Sequence, residues 1–166
     1  MQLDYAETLV GIAALAVSLA GFTGVVVAFG SRSGGRWHPG DRLRLEFLLE
    51  ASLTAGGFAL LALVLFHSLL DEAWLAWVAS SAGWALFMVG SLYSSHLRTQ
   101  KNQQQHGDID RLMNRLVLVA FLALVGLQIL NVFLWHEFAP LVAALCLNLA
   151  GAAMQFTRLI RSTFHE

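Results

Sequence analysis

Long hydrophobic runs alternate with short polar segments along this chain. Five runs hold about twenty residues or more, and a helix needs about that many, at about 1.5 Å per residue, to cross a hydrocarbon layer roughly 30 Å thick. The pattern therefore predicts an all-α integral membrane protein with five transmembrane helices in one domain. The predicted spans are residues 8–29, 45–70, 73–95, 116–135 and 138–157.

The composition agrees with this interpretation. Of 166 residues, 57% are hydrophobic and only 13% are charged, which is too apolar for a soluble domain of this size. Two acidic residues, Asp4 and Glu7, precede the first run where a secretory signal would carry basic ones. We therefore interpret the first run as a retained span. We expect a multi-pass protein of the cell membrane, surrounded by membrane lipids.

The charges of the polar segments predict the orientation of the chain. Every lysine and arginine lies in residues 30–44, in residues 96–115 or after residue 157. Cytoplasmic segments of membrane proteins carry an excess of these residues. We therefore expect 30–44 and 96–115 to be cytoplasmic loops, with the C-terminus cytoplasmic and the N-terminus outside. The short turns that contain Glu72 and Glu137 are then outside as well.

The sequence contains an internal repeat with a shift of 69 residues. This shift aligns Asp41-Arg42-Leu43 with Asp110-Arg111-Leu112, Gly57 with Gly126 and His67 with His136. We interpret it as a tandem duplication in which the second and third helices form one hairpin and the fourth and fifth form another. Both hairpins run in the same direction, so the repeat is parallel rather than inverted. Together with the N-terminal helix they form a helical bundle.

Two glutamates lie near the beginning of the second run. Glu46 aligns with Arg115 in the repeat, and we expect these two residues to form a structural ion pair between the related helices. Glu50 lies one turn farther into the membrane and aligns with the apolar Val119. An ionisable group in a membrane span is costly unless it meets water, an ion or an opposite charge, so Glu50 is a candidate functional residue. Thr54 follows it on the same helix face.

Amide side chains interrupt the fourth and fifth runs. Gln128 and Asn131 lie three residues apart, and Asn148 lies near the middle of the fifth run. In a membrane such groups form hydrogen bonds between helices or line a polar path. If they face one cavity, they form an ion path together with Glu50 and Thr54.

Small residues form one face of the first helix. Ala16, Ala20, Gly24 and Ala28 recur at every fourth position. Because lipid gives helices no hydrophobic reason to associate, a face of small residues favours close packing. The alternative is that this face lines a narrow pore in an oligomer.

The repeat aligns two histidines, His67 and His136, near the outer ends of the second and fourth helices. Paired imidazoles on neighbouring helices are able to bind a b-type haem axially or to bind a metal. The alternative is hydrogen bonding or pH sensing at the membrane interface. We favour a protein without a cofactor and keep b-type haem as the alternative hypothesis.

Motifs of known enzyme chemistry are missing from the sequence. It contains neither HExxH nor GxSxG, and its one cysteine has no partner for redox chemistry, so we expect no enzyme activity. A net charge of −1 gives no reason to expect nucleic acid as a partner. We favour a small homo-oligomeric channel that prefers cations, with Glu50 near its cytoplasmic mouth. The alternatives are a haem-binding membrane redox subunit and a membrane scaffold or regulatory subunit whose arginine-rich loops bind anionic lipid or a protein.

Overall fold

The computed structural model describes residues 2–32, 39–69, 72–106 and 111–164. In these residues all regular structure is helical. The five α-helices are α1 (Gln2–Arg32), α2 (Pro39–Ser68), α3 (Ala73–His106), α4 (Arg111–Leu130) and α5 (Phe138–Phe164). A single π-helical turn, Asn131–Trp135, lies between α4 and α5.

Each of the five helices, α4 together with the π turn that follows it, contains a stretch that is long and apolar enough to cross a membrane. The all-helical fold and the number of such helices, both predicted from the hydrophobic runs, are therefore confirmed. The stretches are Asp4–Ala28, Asp41–Ser68, Ala73–Ser94, Leu118–Trp135 and Phe138–Ile160.

The helices extend beyond the hydrophobic runs at the ends that we predicted to be cytoplasmic. As a result, the described parts of the predicted loops, 30–44 and 96–115, are helical. The reason is that hydrocarbon thickness limits only the apolar run, whereas the helical backbone continues as long as residues allow it. The end of α3 is rich in Gln, Lys and Arg, which are good helix formers. The remaining loop residues, 33–38 and 107–110, lie outside the described part of the chain.

The chain divides into two compact units. Unit 1 consists of Met1–Ser68 and Val142–Glu166, and unit 2 consists of Leu69–Leu141. In unit 1, α1 packs along α2, and in unit 2, α3 packs along α4 and the π turn. Within the units the closely packed pairs are α1–α2 and α3–α4. The predicted repeat of two hairpins, α2–α3 and α4–α5, stays a prediction.

The α1–α2 pair is antiparallel and closely packed. At one end the rings of Tyr5 and Phe66 meet edge to face, with centroids 6.2 Å apart, so the beginning of α1 lies beside the end of α2. Near the middle, a Cβ atom at Gly56 would stand 3.1 Å from Cβ of Ala16. The buried residues recur every three or four positions, as one face of a helix requires: Leu9, Ile12, Ala13, Ala16 and Thr23 on α1, and Leu48, Ser52, Ala55, Ala59, Ala62 and Phe66 on α2.

The α3–α4 pair shares some features of this packing. The ring of Trp74 meets that of His136 edge to face, with centroids 5.4 Å apart. The shift of 69 residues carries Tyr5 onto Trp74 and His67, the neighbour of Phe66, onto His136. It also carries the buried Ala16 onto Ala85, which is buried too. The small buried position thus recurs in both helix pairs, but Phe66, the ring partner of Tyr5, aligns with Trp135 and not with His136. The same shift also carries α3 onto α5, and the duplication stays a prediction.

Candidate functional site

Five fully buried polar or partly polar side chains lie together in unit 2, and we call them the polar layer. They are Ser80, Ser81 and Trp84 on α3, Gln128 on α4 and Asn131 at the beginning of the π turn. Ser81 of α3 contacts Asn131 across the helix pair. Because the two helices are antiparallel, Trp84, one turn after Ser81, lies level with Gln128, one turn before Asn131. The layer is therefore about one helical turn thick.

Asn131 joins three parts of unit 2 through its side chain. Its Nδ2 donates to Oγ of Ser81 at 3.1 Å and to the carbonyl of Glu137 at 2.9 Å. Its Oδ1 accepts the backbone N–H of Glu137, also at 2.9 Å. The backbone of His136 is left-handed, with φ 57°, and its N–H donates to the carbonyl of Asn131. Asn131 thus fixes the turn from α4 to α5 and ties it to α3.

Gln128 is only partly satisfied by the protein. Its Nε2 donates to the carbonyl of Pro140 at 2.7 Å. Its Oε1 has no hydrogen-bond partner among the described residues, and neither do Oγ of Ser80 and Nε1 of Trp84. Leaving one buried polar atom without a partner costs about 1–3 kcal/mol. Three such atoms in one layer therefore lower the stability of unit 2 unless they find partners.

The shift of 69 residues maps the polar layer onto residues of unit 1 without polar side chains: Gly11, Ile12, Leu15, Ala59 and Ala62. Of these, Ile12, Ala59 and Ala62 are buried. Gly11 and Leu15, which align with Ser80 and Trp84, are exposed. The aligned positions of the two units therefore differ in burial as well as in polarity.

The glutamates of α2 differ in their surroundings. Oε1 of Glu46 lies 3.2 Å from Nε of Arg42, four residues earlier on the same helix. Arg115 is exposed and belongs to unit 2, and its pairing with Glu46 stays a prediction. Glu50 is half-buried, and its backbone carbonyl accepts the hydroxyl of the buried Thr54 at 2.7 Å. The Thr54 hydroxyl is thus engaged by its own helix.

The predicted path of amides is divided between the units. Gln128 and Asn131 belong to unit 2, whereas Asn148 is buried in unit 1. Nδ2 of Asn148 has no hydrogen-bond partner in the described part of the chain. A continuous ion path through Glu50, Thr54 and these amides stays a prediction.

The two histidines also lie in different units. His67 is exposed, and its Nδ1 is 2.9 Å from the carbonyl of Leu63. His136 is half-buried against Trp74. Within the described residues no three His, Cys, Asp or Glu side chains are grouped as a metal site would require. The b-type haem hypothesis is untested by this arrangement and stays a prediction.

Of the four residues on the small face of α1, Ala16 is the one that is fully buried. Ala16 is buried against α2 beside Gly56, whereas Ala20 is half-buried and Gly24 and Ala28 are exposed.

The sequence pattern did not single out Gly56 or Trp84. A signal for Gly56 was its place in the pair Gly56-Gly57 inside a hydrophobic run. Trp84 carries no such signal, since a tryptophan in a membrane span is usually an apolar packing residue or an interfacial anchor.

The described residues define the class of this chain as an all-helical protein with five helices suited to a membrane. Unit 2 contains a buried polar layer. No family model, curated protein or solved structure matches the chain.

Proposed function

We propose that this chain is a multi-pass membrane protein that assembles into a small cation-preferring channel. Several copies surround the conducting path, and Glu50 of α2 lies at its cytoplasmic mouth. The observation that carries the proposal is the position of Glu50, a half-buried carboxylate inside an apolar helix.

The depth of Glu50 follows from the length of α2. It lies eighteen residues before Ser68, the last residue of α2, and this corresponds to about 27 Å of helix. If the end of α2 lies at the outer interface, Glu50 is just inside the inner edge of a hydrocarbon layer roughly 30 Å thick. A carboxylate at that depth is costly against lipid, whereas water or cations in a pore mouth stabilise it.

The half-exposed position of Glu50 supports assembly of several copies. Part of its side chain lies on the surface of the single chain, where it is accessible to lipid, water or another copy. Gly57 lies two turns farther along the same face and is exposed. Cyclic assembly around that face would place one carboxylate per copy in a ring. Such rings concentrate cations and replace part of their hydration shell.

The Glu50→Gln variant tests this proposal by ion flux into proteoliposomes. We expect the native protein to conduct cations in preference to anions, and the variant to lose most of that flux because the ring charge is removed. Glu46→Gln is the matched control, since Glu46 lies one turn earlier on α2 and pairs with Arg42. It should conduct like the native protein. Native protein that conducts no better than empty liposomes, or a Glu50→Gln variant with unchanged flux, contradicts the proposal.

The orientation is tested by labelling single cysteines with a membrane-impermeant maleimide, after Cys146 has been replaced by serine. We expect Glu72→Cys to react in intact cells, because the positive-inside rule places that turn outside. Arg36→Cys and Gln103→Cys should react only after the membrane has been permeabilised. The opposite labelling pattern would reverse the topology and move Glu50 to the outer mouth.

A further inference from the structure

The unpartnered atoms of the polar layer have complementary hydrogen-bonding roles. The indole N–H of Trp84 is only a donor, the Oε1 atom of Gln128 is only an acceptor, and the hydroxyl of Ser80 is both. All three are buried and lack a partner among the described residues. An occupant that satisfies them must therefore both accept and donate hydrogen bonds.

The polar layer has no charged side chain, and this excludes an ion as its occupant. None of its five side chains is an acid or a base, so neither a cation nor an anion would find a counter-charge within the layer. A metal cation is also unable to accept the N–H of Trp84, and a carboxylate or phosphate dianion is unable to donate to Gln128. A small neutral molecule with both capacities is what remains.

The unpartnered atoms of the polar layer belong to one short section of the helix pair. From Ser80 to Trp84 the helix rises by about 6 Å. Buried water typically forms about three hydrogen bonds to polar groups that would otherwise be unsatisfied. Water therefore fits the layer in charge and in hydrogen-bonding capacity.

We infer that the polar layer of unit 2 is a water-binding site between α3 and α4. The inference rests on the three buried atoms that lack a partner, which the Ser81–Asn131 contact places within about one helical turn of one another along the helix axes. Bound water relieves the cost of the three unpartnered atoms of unit 2. The water site involves neither Glu50 nor assembly of several copies, so its test is independent of the proposed channel.

Nuclear magnetic resonance of the indole groups tests this inference on the whole chain in detergent micelles. The chain has five tryptophans, and the indole signal of Trp84 is assigned by its disappearance in Trp84→Phe, or in Trp84→Tyr if the first variant does not fold. We expect a cross-peak between the Trp84 indole proton and long-lived water. Cross-peaks to protein protons alone would show that the layer is dry and would overturn the inference. A cross-peak to a carbon-bound proton of a small solute would overturn the assignment of water.

The Ser80→Ala variant provides a second measurement that does not depend on tryptophan. If the hydroxyl of Ser80 binds water, its removal leaves that water one partner short, and the thermal unfolding midpoint should fall. If the hydroxyl is dry and unpartnered, its removal should raise the midpoint. Ser18→Ala is the matched control for the higher helix propensity of alanine, because the exposed hydroxyl of Ser18 already donates to the carbonyl of Ala14. A midpoint for Ser80→Ala equal to or above that of Ser18→Ala contradicts bound water.

Discussion

Truncation of Asn131 to alanine should lower the free energy of unfolding by about 3 kcal/mol. The variant loses all three hydrogen bonds of the side chain, to Ser81, to the carbonyl of Glu137 and to the N–H of Glu137. Each bond in a membrane protein contributes about 0.6–2 kcal/mol, and the buried hydroxyl of Ser81, left without this partner, adds to the loss. Equilibrium unfolding in mixed micelles of increasing sodium dodecyl sulfate, followed by helical circular dichroism, measures the change.

Asn148→Ala is the control for this measurement. Asn148 is as deeply buried as Asn131, so both truncations leave a cavity of the same size. The Nδ2 of Asn148, however, has no partner among the described residues, and its loss should be much less destabilising. Equal destabilisation by the two variants would mean that the cavity accounts for the whole effect. The bonds around the π turn would then contribute nothing measurable.

The hydrophobic runs were enough to predict the fold class, because the length of an apolar run is a local property of the sequence. The same runs underestimated the helices, since the backbone of α3 continues to His106 through polar residues that form helices well. Apolar length measures how much of a helix suits a membrane. It does not measure where the helix ends.

The repeat shift was also readable from the sequence, but the packed pairs were not. A shift of 69 residues relates α2 to α4 whichever neighbour each of them packs against. The choice of α1 as the partner of α2 depends on contacts such as Ala16 with Gly56. Alanine and glycine are common in every hydrophobic run, so no single one of them identifies its partner in advance.

The sequence predicted which polar residues belong to the candidate site, but not which of their atoms form hydrogen bonds. Gln128 and Asn131 were recognisable because amides are rare in membrane spans. Their roles differ in a way that spacing does not reveal: the described contacts satisfy both amide atoms of Asn131, whereas only Nε2 of Gln128 is satisfied. That difference depends on the π turn, which brings the backbone of Glu137 to Asn131.

The second large effect is expected at the closest approach of the two helices in unit 1. A Cβ at Gly56 alone would stand 3.1 Å from Cβ of Ala16, which already requires a small adjustment. The three further carbons of leucine would have to push α1 away from α2, and overpacking of this kind costs about 1–3 kcal/mol. We therefore expect Gly56→Leu to lower the free energy of unfolding by about 2 kcal/mol. The measurement is the same micellar unfolding titration.

Gly57→Leu separates overpacking from the change in helix propensity. Gly57 is exposed, and apart from its own helix backbone no described atom lies within 4 Å of where its Cβ would be. The same substitution there should be neutral or stabilising by up to about 1 kcal/mol, because leucine favours a helix more than glycine does. If Gly56→Leu proves as stable as Gly57→Leu, α1 and α2 do not approach each other closely at Gly56. The packing of α1 on α2 would then lose its best-defined contact.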